Sequence, residues 1–338
     1  MAAVVVLALS GATAQGADDF YKDKKIRLIV SSTPGGGNDT YSRLIARHIH
    51  RFIPGNPDII VQNMPGAGGL LAADYLYRKA KRDGTVMEQI NWGVWNWQVI
   101  GDPRAKFDFT KMNAVGVAAI ENSIFYCRTE RYKSVADVEK SGKLATVGVS
   151  GRQSTGYVDG KLIENVREKK MFEYVFGYPG ARQYSLAVRQ GEVDCSSNTT
   201  GSFWDQLGDM YKEGGLTIIA QAGTLDGKRE ADFAEAPLLE ELAKNERGQK
   251  VAKAMFMLSH YGRPYALPPG VPQDRVQIMR KAFWKTMKDS QFLAEAKKLR
   301  RPIIPTTGAD LQEMWKKALN APPEQVEIVK QIFGDQKS

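Results

Sequence analysis

The residues best suited to chemistry in this chain lie in two glycine-rich turns. Ser31-Ser32-Thr33-Pro34-Gly35-Gly36-Gly37-Asn38-Asp39 follows an apolar run, 26–30, and precedes an amphipathic one, 41–52. That order reads as strand, turn, helix. Asn63-Met64-Pro65-Gly66-Ala67-Gly68-Gly69 repeats it, between a strand-like run at 58–62 and a helix-like run at 70–78. Such turns present several backbone N–H groups at the positive end of a helix, a site that holds an anion without a paired cation. Gly35, Gly36 and Gly37 in the first turn, and Ala67 and Gly68 in the second, are the expected donors. Asp39 beside an anion would repel it, so its expected part is to tie the first helical turn in place.

The same turns do not fit a nucleotide. A Walker A loop needs lysine and then Ser/Thr after its last glycine, and Gly37 is followed by Asn38-Asp39. The G-x-G-x-x-G spacing is absent from 35–41. Support for catalysis is equally thin. The three histidines are His48, His50 and His260, with no metalloprotease pattern, and the first two read as surface or boundary residues. Gly148-Val149-Ser150-Gly151-Arg152 breaks the spacing of a nucleophile elbow, and no cysteine–histidine cluster suggests a metal. Neither cofactor nor metal is expected.

The elements that must position the turns alternate along the chain, which favours an α/β class. Further strands are expected at 86–90, 115–120, 123–128, 145–149, 172–176, 193–196 and 216–220. Helices are expected at 134–141, with Ser134 as N-cap, at 157–168, and at 183–190, closed by Gly191. Beyond a polar stretch at 222–230 the spacing turns mostly helical, at 237–244, 247–257, 272–288 and 309–318, with 266–270 read as a loop. Trp92, Trp95 and Trp97 read as packing for two of the three, with Trp92 the pocket candidate because it directly follows a strand.

At 338 residues the chain has room for two domains, and its net charge of +9 is spread along it without a nucleic-acid-binding signature. Residues 1–10 are apolar and Ala12-Thr13-Ala14 resembles a cleavage site, so 1–17 reads as a removable export leader. Export permits a disulfide between Cys127 and Cys195. Two separate buried thiols fit the sequence as well.

The motifs together resemble one family. Pro34-Gly35-Gly36-Gly37-Asn38-Asp39 is similar to the P-G-G-G-x-D signature of the tripartite tricarboxylate transporter solute-binding proteins, the Bug receptors, and 63–69 looks like their N-x-P-G-A-G-G. Weaker likenesses follow at 150–156, 177–180 and 266–272. Pro179 stands where the family has lysine, Arg152 where a small residue is common, and the tryptophans replace a smaller, polar stretch. The resemblance implies a two-domain periplasmic binding protein of the Venus-flytrap type (type II), with a hinge and an interdomain ligand cleft. Domain 1 would comprise 18–124 plus 222–338, and domain 2 would be 125–221. Gly35, Gly36, Gly37, Asp39, Ala67, Gly68 and Trp92 would stand on the first wall, and Ser154, Thr155, Tyr178 and Ser197 on the second. Arg152 or Arg182 would engage a second carboxylate, or both are surface arginines.

The function so implied is capture of a small mono-, di- or tricarboxylate, aliphatic or aromatic, by a monomeric periplasmic receptor that delivers it to two integral membrane subunits. A periplasmic sensor feeding a signalling kinase would use the same clamshell. An α/β enzyme acting on small acids would require a poised base or nucleophile, which the residue inventory does not offer.

Overall fold

The computed structural model describes residues 20–224, 226–259 and 262–333. The expected leader at 1–17 and His260 lie outside the described residues. Strand β1 (Lys25–Val30) leads through the first glycine turn into α1 (Gly37–Ile49), and β2 (Asp58–Asn63) through the second into α2 (Leu70–Arg78). β3 (Val86–Gln89), the short helix α3 (Trp95–Val99) and β4 (Asn113–Val117) follow. The chain then enters a second sheet: β5 (Ser123–Arg128), α4 (Val135–Lys140), β6 (Ala145–Gly148), α5 (Thr155–Arg167), β7 (Phe172–Val175), α6 (Ala181–Gln190), β8 (Cys195–Thr199), α7 (Thr200–Lys212) and β9 (Leu216–Gln221). After α8 (Glu246–Ser259) it returns to the first sheet with β10 (Pro264–Leu267), α9 (Gln273–Met287), α10 (Ser290–Lys298), β11 (Thr306–Thr307), α11 (Gly308–Leu319) and α12 (Pro323–Phe333).

The first sheet has the order β11-β4-β10-β3-β1-β2 and the second β7-β6-β8-β5-β9. In each, the strands that feed the cavity-forming turns run parallel: β1 with β2 and β3, and β6 with β7 and β8. Parallel strands need crossover helices, which cover both faces of the sheet. On β5, Ile124 and Tyr126 enter one core and Phe125 and Cys127 the other, as alternation along a strand dictates. One face of the first sheet packs on α1, α9 and α10 through Leu44, Ile45, Met279, Phe283 and Phe292.

Two strands of chain between the sheets run side by side. Ala118 and Ala119 exchange backbone hydrogen bonds with Arg263 (3.3 and 3.0 Å). Asn122 accepts from Gly223 N–H (2.8 Å) and donates to Gln221 (2.9 Å), pinning the exit of the second sheet to the same place. The chain from 239 to 259 still packs on the second sheet: α8 lies against α5, and Lys244 N–H donates to Val166 O (3.2 Å). The sequence division at 222 therefore does not follow this packing.

Most differences from the sequence expectations have local causes. Ala266 and Leu267, read as loop, belong to β10, all four of whose residues are buried; the adjoining Pro268-Pro269-Gly270 hides so short a strand. α7 was not expected, because Gly201 and Gly208 interrupt its apolar spacing. His48 is not a surface residue: α10 covers it, and its Nε2 lies 2.6 Å from Glu295.

Cys127 and Cys195 are register partners on antiparallel β5 and β8 and are joined by a disulfide. It closes a loop of sequence separation 68, which in the chain-entropy account stabilises the fold by roughly 4 kcal/mol. The double variant Cys127→Ser/Cys195→Ser is expected to lower unfolding free energy in urea by about that amount, and an unchanged denaturation midpoint would show that the bond constrains nothing.

Candidate functional site

A cavity of about 340 Å³ opens between the two sheets. Its first wall is the turn before α1, the turn before α2, and Asn91-Trp92 after β3. Its second is the start of α5, the 178–181 turn before α6, and the junction of β8 with α7.

Four helices, α1, α5, α6 and α7, begin at this cavity; α1, α5 and α6 have no side-chain hydrogen bond capping the first turn, whereas in α7 Thr200 N–H donates to Asn122 O (3.0 Å) and Gly201 N–H to Glu121 Oε1 (3.1 Å). Elsewhere Ser134, Asp289 and Thr307 close α4, α10 and α11 in the ordinary way. On the open three the caps are withheld. Gly36 and Gly180 have no side chain to offer. Ser154 does, but its Oγ donates to Gly151 O (2.7 Å). First-turn amides that lack an intrahelical acceptor thus face one space, each helix adding partial positive charge. Side-chain atoms around it are also without partners: the hydroxyls of Ser31, Ser32 and Thr33, Gln153 Nε2 and Asn198 Oδ1. Among the described residues no carboxylate lines the cavity, and Arg263 is its one charged side chain.

Asp39 holds the first wall together from behind. Its carboxylate accepts from Gly35 N–H (2.9 Å), Asn63 Nδ2 (2.9 Å) and Arg43 Nε (2.9 Å). Burial works against its ionisation, but these hydrogen bonds and the Arg43 charge outweigh burial and hold its pKa below the usual carboxylate range. Asn63 Nδ2 also donates to Ser32 O (2.9 Å), so the first residue of the second motif fastens the second residue of the first. Gly35, Gly66, Gly68 and Gly69 have positive φ (79, 143, 65 and 105°), which the turns require and side-chain-bearing residues adopt at a cost.

The walls meet along a seam of glycines. A Cβ on Gly37 would strike Ser202 and sit 2.7 Å from Arg263 Nη2; one on Gly180 would strike Thr33, one on Gly68 would strike Gln153, and one on Gly35 would lie 2.8 Å from Arg182 Nε. Each contact joins one sheet's turns to the other's, so the described arrangement is closed.

No family model matches the chain. Among characterised sequences it is 26% identical to the UPF0065 protein in the gbd 5′ region of Cupriavidus necator, over 85% of this chain and 81% of that one. It is 32% identical to BugT of Bordetella pertussis over a quarter of each chain. Among solved structures, the periplasmic binding protein BugD superposes with a TM-score of 0.73 at 17% identity, covering 92% of this chain and 98% of BugD. MatC from Rhodopseudomonas palustris, solved with malate, gives 0.69 at 18% (90% and 99% covered), and an R. palustris protein solved with adipate gives 0.70 at 17% (91% and 97%).

The chain resembles the Bug family of solute-binding proteins in part of its sequence and in its fold. Its fold is the two-domain α/β fold of periplasmic binding proteins.

Set out on this fold, the expected site residues divide. Gly36, Gly37, Ala67, Gly68, Trp92, Ser154, Thr155 and Tyr178 line the cavity, while Trp95 and Trp97 are buried in the core. Thr155 Oγ1 donates to Ser197 O (2.7 Å), and Tyr178 turns its hydroxyl to Glu192 (2.8 Å), away from the amides, with its pKa pushed up to about 12 by burial and that carboxylate. Four residues do not line the cavity. Gly35 and Asp39 sit behind the turn they shape. Ser197 is buried with its hydroxyl spent on Asp159 (2.5 Å). Arg152 lies toward Asp102, whose pKa its charge helps to lower. Arg182, the other arginine considered, is exposed and covers Gly35. Sequence reading missed Arg263, Gln153, Asn198 and Ser202, which lie outside the two signatures. The one available signal was position: Ser202 and Asn198 flank a strand end that the parallel order brings to the same edge as the other turns.

Two outcomes test this geometry. Gly37→Ala and Gly180→Ala place a methyl in the seam, so each is expected to enlarge the radius of gyration measured by X-ray scattering while leaving the helical circular dichroism unchanged. A wild-type radius would show that the seam is not what closes. Separately, burial raises Asp159 to a pKa of about 6 against hydrogen bonds from Ser197 and Ser123 that pull it down. The folded state thus holds a proton that the unfolded state releases near the ordinary value of 3.8. The stability this contributes is complete below about pH 4 and is lost as pH rises through about 6. Asp159→Asn should flatten the melting temperature between those values; parallel profiles would contradict the assignment.

Proposed function

We propose that the protein captures a small organic carboxylate in the periplasm and presents it, closed, to integral membrane transporter subunits. The observation that carries the reading is the convergence of three helix N-termini without side-chain caps on a cavity that no carboxylate among the described residues lines. Each such end is worth up to ~2 kcal/mol to an anion in a partly buried setting. Three together supply up to roughly 6 of the roughly 8 kcal/mol that micromolar affinity requires. The size of the cavity suits a small molecule rather than a peptide. MatC and its R. palustris counterpart, solved with malate and adipate, share the fold, which supports an organic acid as ligand.

Receptors of this kind work by rotation of two lobes about a hinge. The lobes proposed are 18–124 plus 222–338, and 125–221, with the paired segments near Ala119, Asn122 and Arg263 as hinge and with 239–259 carried on the second lobe's α5. A binding rather than catalytic role fits a lining that carries no His, Cys, Lys, Asp or Glu. Among the described residues no helix is long and apolar enough to cross a membrane, so the membrane subunits are separate chains in this reading.

A thermal-shift screen of the protein against carboxylates, amines and neutral sugars tests the reading. A ligand that binds only the folded state at a hundred times its Kd adds about 2.7 kcal/mol. At least one carboxylate is expected to raise the melting temperature by several degrees. Shifts with amines or sugars and none with carboxylates would overturn it.

A further inference from the structure

We propose that a second cavity, beside the two connections between the sheets, binds an organic ammonium ion with an apolar body. Its volume is about 790 Å³, within the range of small-molecule sites, and it shares no lining residue with the first cavity. Its walls come from four places in the chain: 120–122, where the chain enters the second sheet; 224–232, after it leaves; α7; and 300–304, between α10 and β11. Ser202 of α7 lines the first cavity and Trp204 the second, so this helix stands between the two. The apolar part of the lining is Ile120, Trp204, Pro302 and Ile304. Trp204 is stacked on the buried Phe233 (ring centroids 5.5 Å apart, interplanar angle 17°), which fixes the indole in place. Ile304 is 45% exposed, apolar surface that a ligand body would remove from water. Lys212, an exposed side chain, rests with Nζ 5.9 Å from the Trp204 ring centroid, so an ammonium already reaches this ring at the limit of a cation–π contact.

Charge selects the head group. Among the described residues six charged side chains line this cavity. Glu121 is paired with Arg263 (2.8 Å) and Asp226 with Lys228 (2.8 Å). Lys212, Asp232 and Arg300 are exposed, where water and salt screen them. Glu230 is the remaining one, half-buried and without an ion-pair partner among the described residues. Burial raises its pKa, with the Asp232 carboxylate and, more weakly, that of Glu121 adding to burial and a hydrogen bond with Asn122 opposing it. The groups that act on it include no cation. An ammonium beside Glu230 would pair with its carboxylate and offset the repulsion among the three acids, whereas an anion would add to that repulsion. The ammonium would thus sit at Glu230 and the body against Trp204, Ile120 and Ile304.

Titration calorimetry of the full chain with 2-phenylethylamine and its neutral counterpart 2-phenylethanol tests the proposal. The wild-type protein should bind the amine about tenfold or more tightly than the alcohol, the range of one charge-assisted hydrogen bond. Glu230→Gln keeps the shape and removes the charge, and should bring the two affinities within about threefold of each other. Trp204→Leu removes the ring face and should weaken both ligands by about fivefold. Should ligand-free melting show that Trp204→Leu does not fold, Glu230→Gln, a change at a half-buried side chain outside the core, decides the matter. Equal wild-type affinities for amine and alcohol would overturn the ammonium assignment. An amine preference that survives Glu230→Gln would place the amine elsewhere and overturn the site. Binding of neither would overturn the proposal as a whole. An amine response that Glu230→Gln abolishes belongs to this cavity, and the carboxylates alone then decide the receptor reading.

Discussion

Helix amides left without acceptors are the constraint on which the rest of this structure depends. A buried N–H that finds no partner costs on the order of 1–3 kcal/mol, and here the first turns of α1, α5 and α6 are left open at one cavity. Such an arrangement persists when something outside the chain supplies the acceptors. Side-chain caps close α4, α10 and α11 through Ser134, Asp289 and Thr307; α3 and α9 also lack them, but α1, α5 and α6 are the ones whose open ends converge on one space. Glycines at Gly36 and Gly180, and a hydroxyl diverted to Gly151, are the means.

Holding those amides in register takes a second set of contacts that never meets the cavity. Asp39, Asn63 and Arg43 tie the two glycine turns to each other, and burial and ionisation oppose each other there with ionisation winning. On the far wall Thr155, Ser197 and Asp159 form a chain of hydrogen bonds in which burial wins and raises the carboxyl's pKa to about 6. The two carboxyl groups lie behind opposite walls and differ because Asp39 has an arginine partner and Asp159 has hydroxyls alone. Glycines then allow the walls to touch. Gly37 against Ser202, and Gly180 against Thr33, leave no space for a methyl between them.

Much of the first wall was legible in the sequence because its parts are local. A strand, a glycine turn and a helix follow one another without interruption from Lys25 to Ile49, and Asp39 could be read as a tie because its neighbours in sequence are its neighbours in space. Ser134 as a cap and Gly191 as a helix stop were legible for the same reason; Gly191 has φ 77°. Arg263 was not. It meets Asn38 across a sequence separation of 225 and Glu121 across 142, and only the side-by-side crossing of the two connections brings them together. Arg152, next to a motif, drew attention that the distant Arg263 should have had. α7 escaped notice because its glycines blur the apolar spacing, although it supplies Ser202, which lines the cavity.

The central claim is that main-chain amides hold the ligand, and amide chemical shifts report on it most directly. Nuclear magnetic resonance of the deuterated, ¹⁵N-labelled protein, titrated with the carboxylate that most raises its melting temperature, should move the backbone N–H signals of Gly37, Thr155 and Ala181 together, along one binding curve. If those three stay fixed while signals elsewhere follow the ligand, the amides do not hold it and the account is wrong.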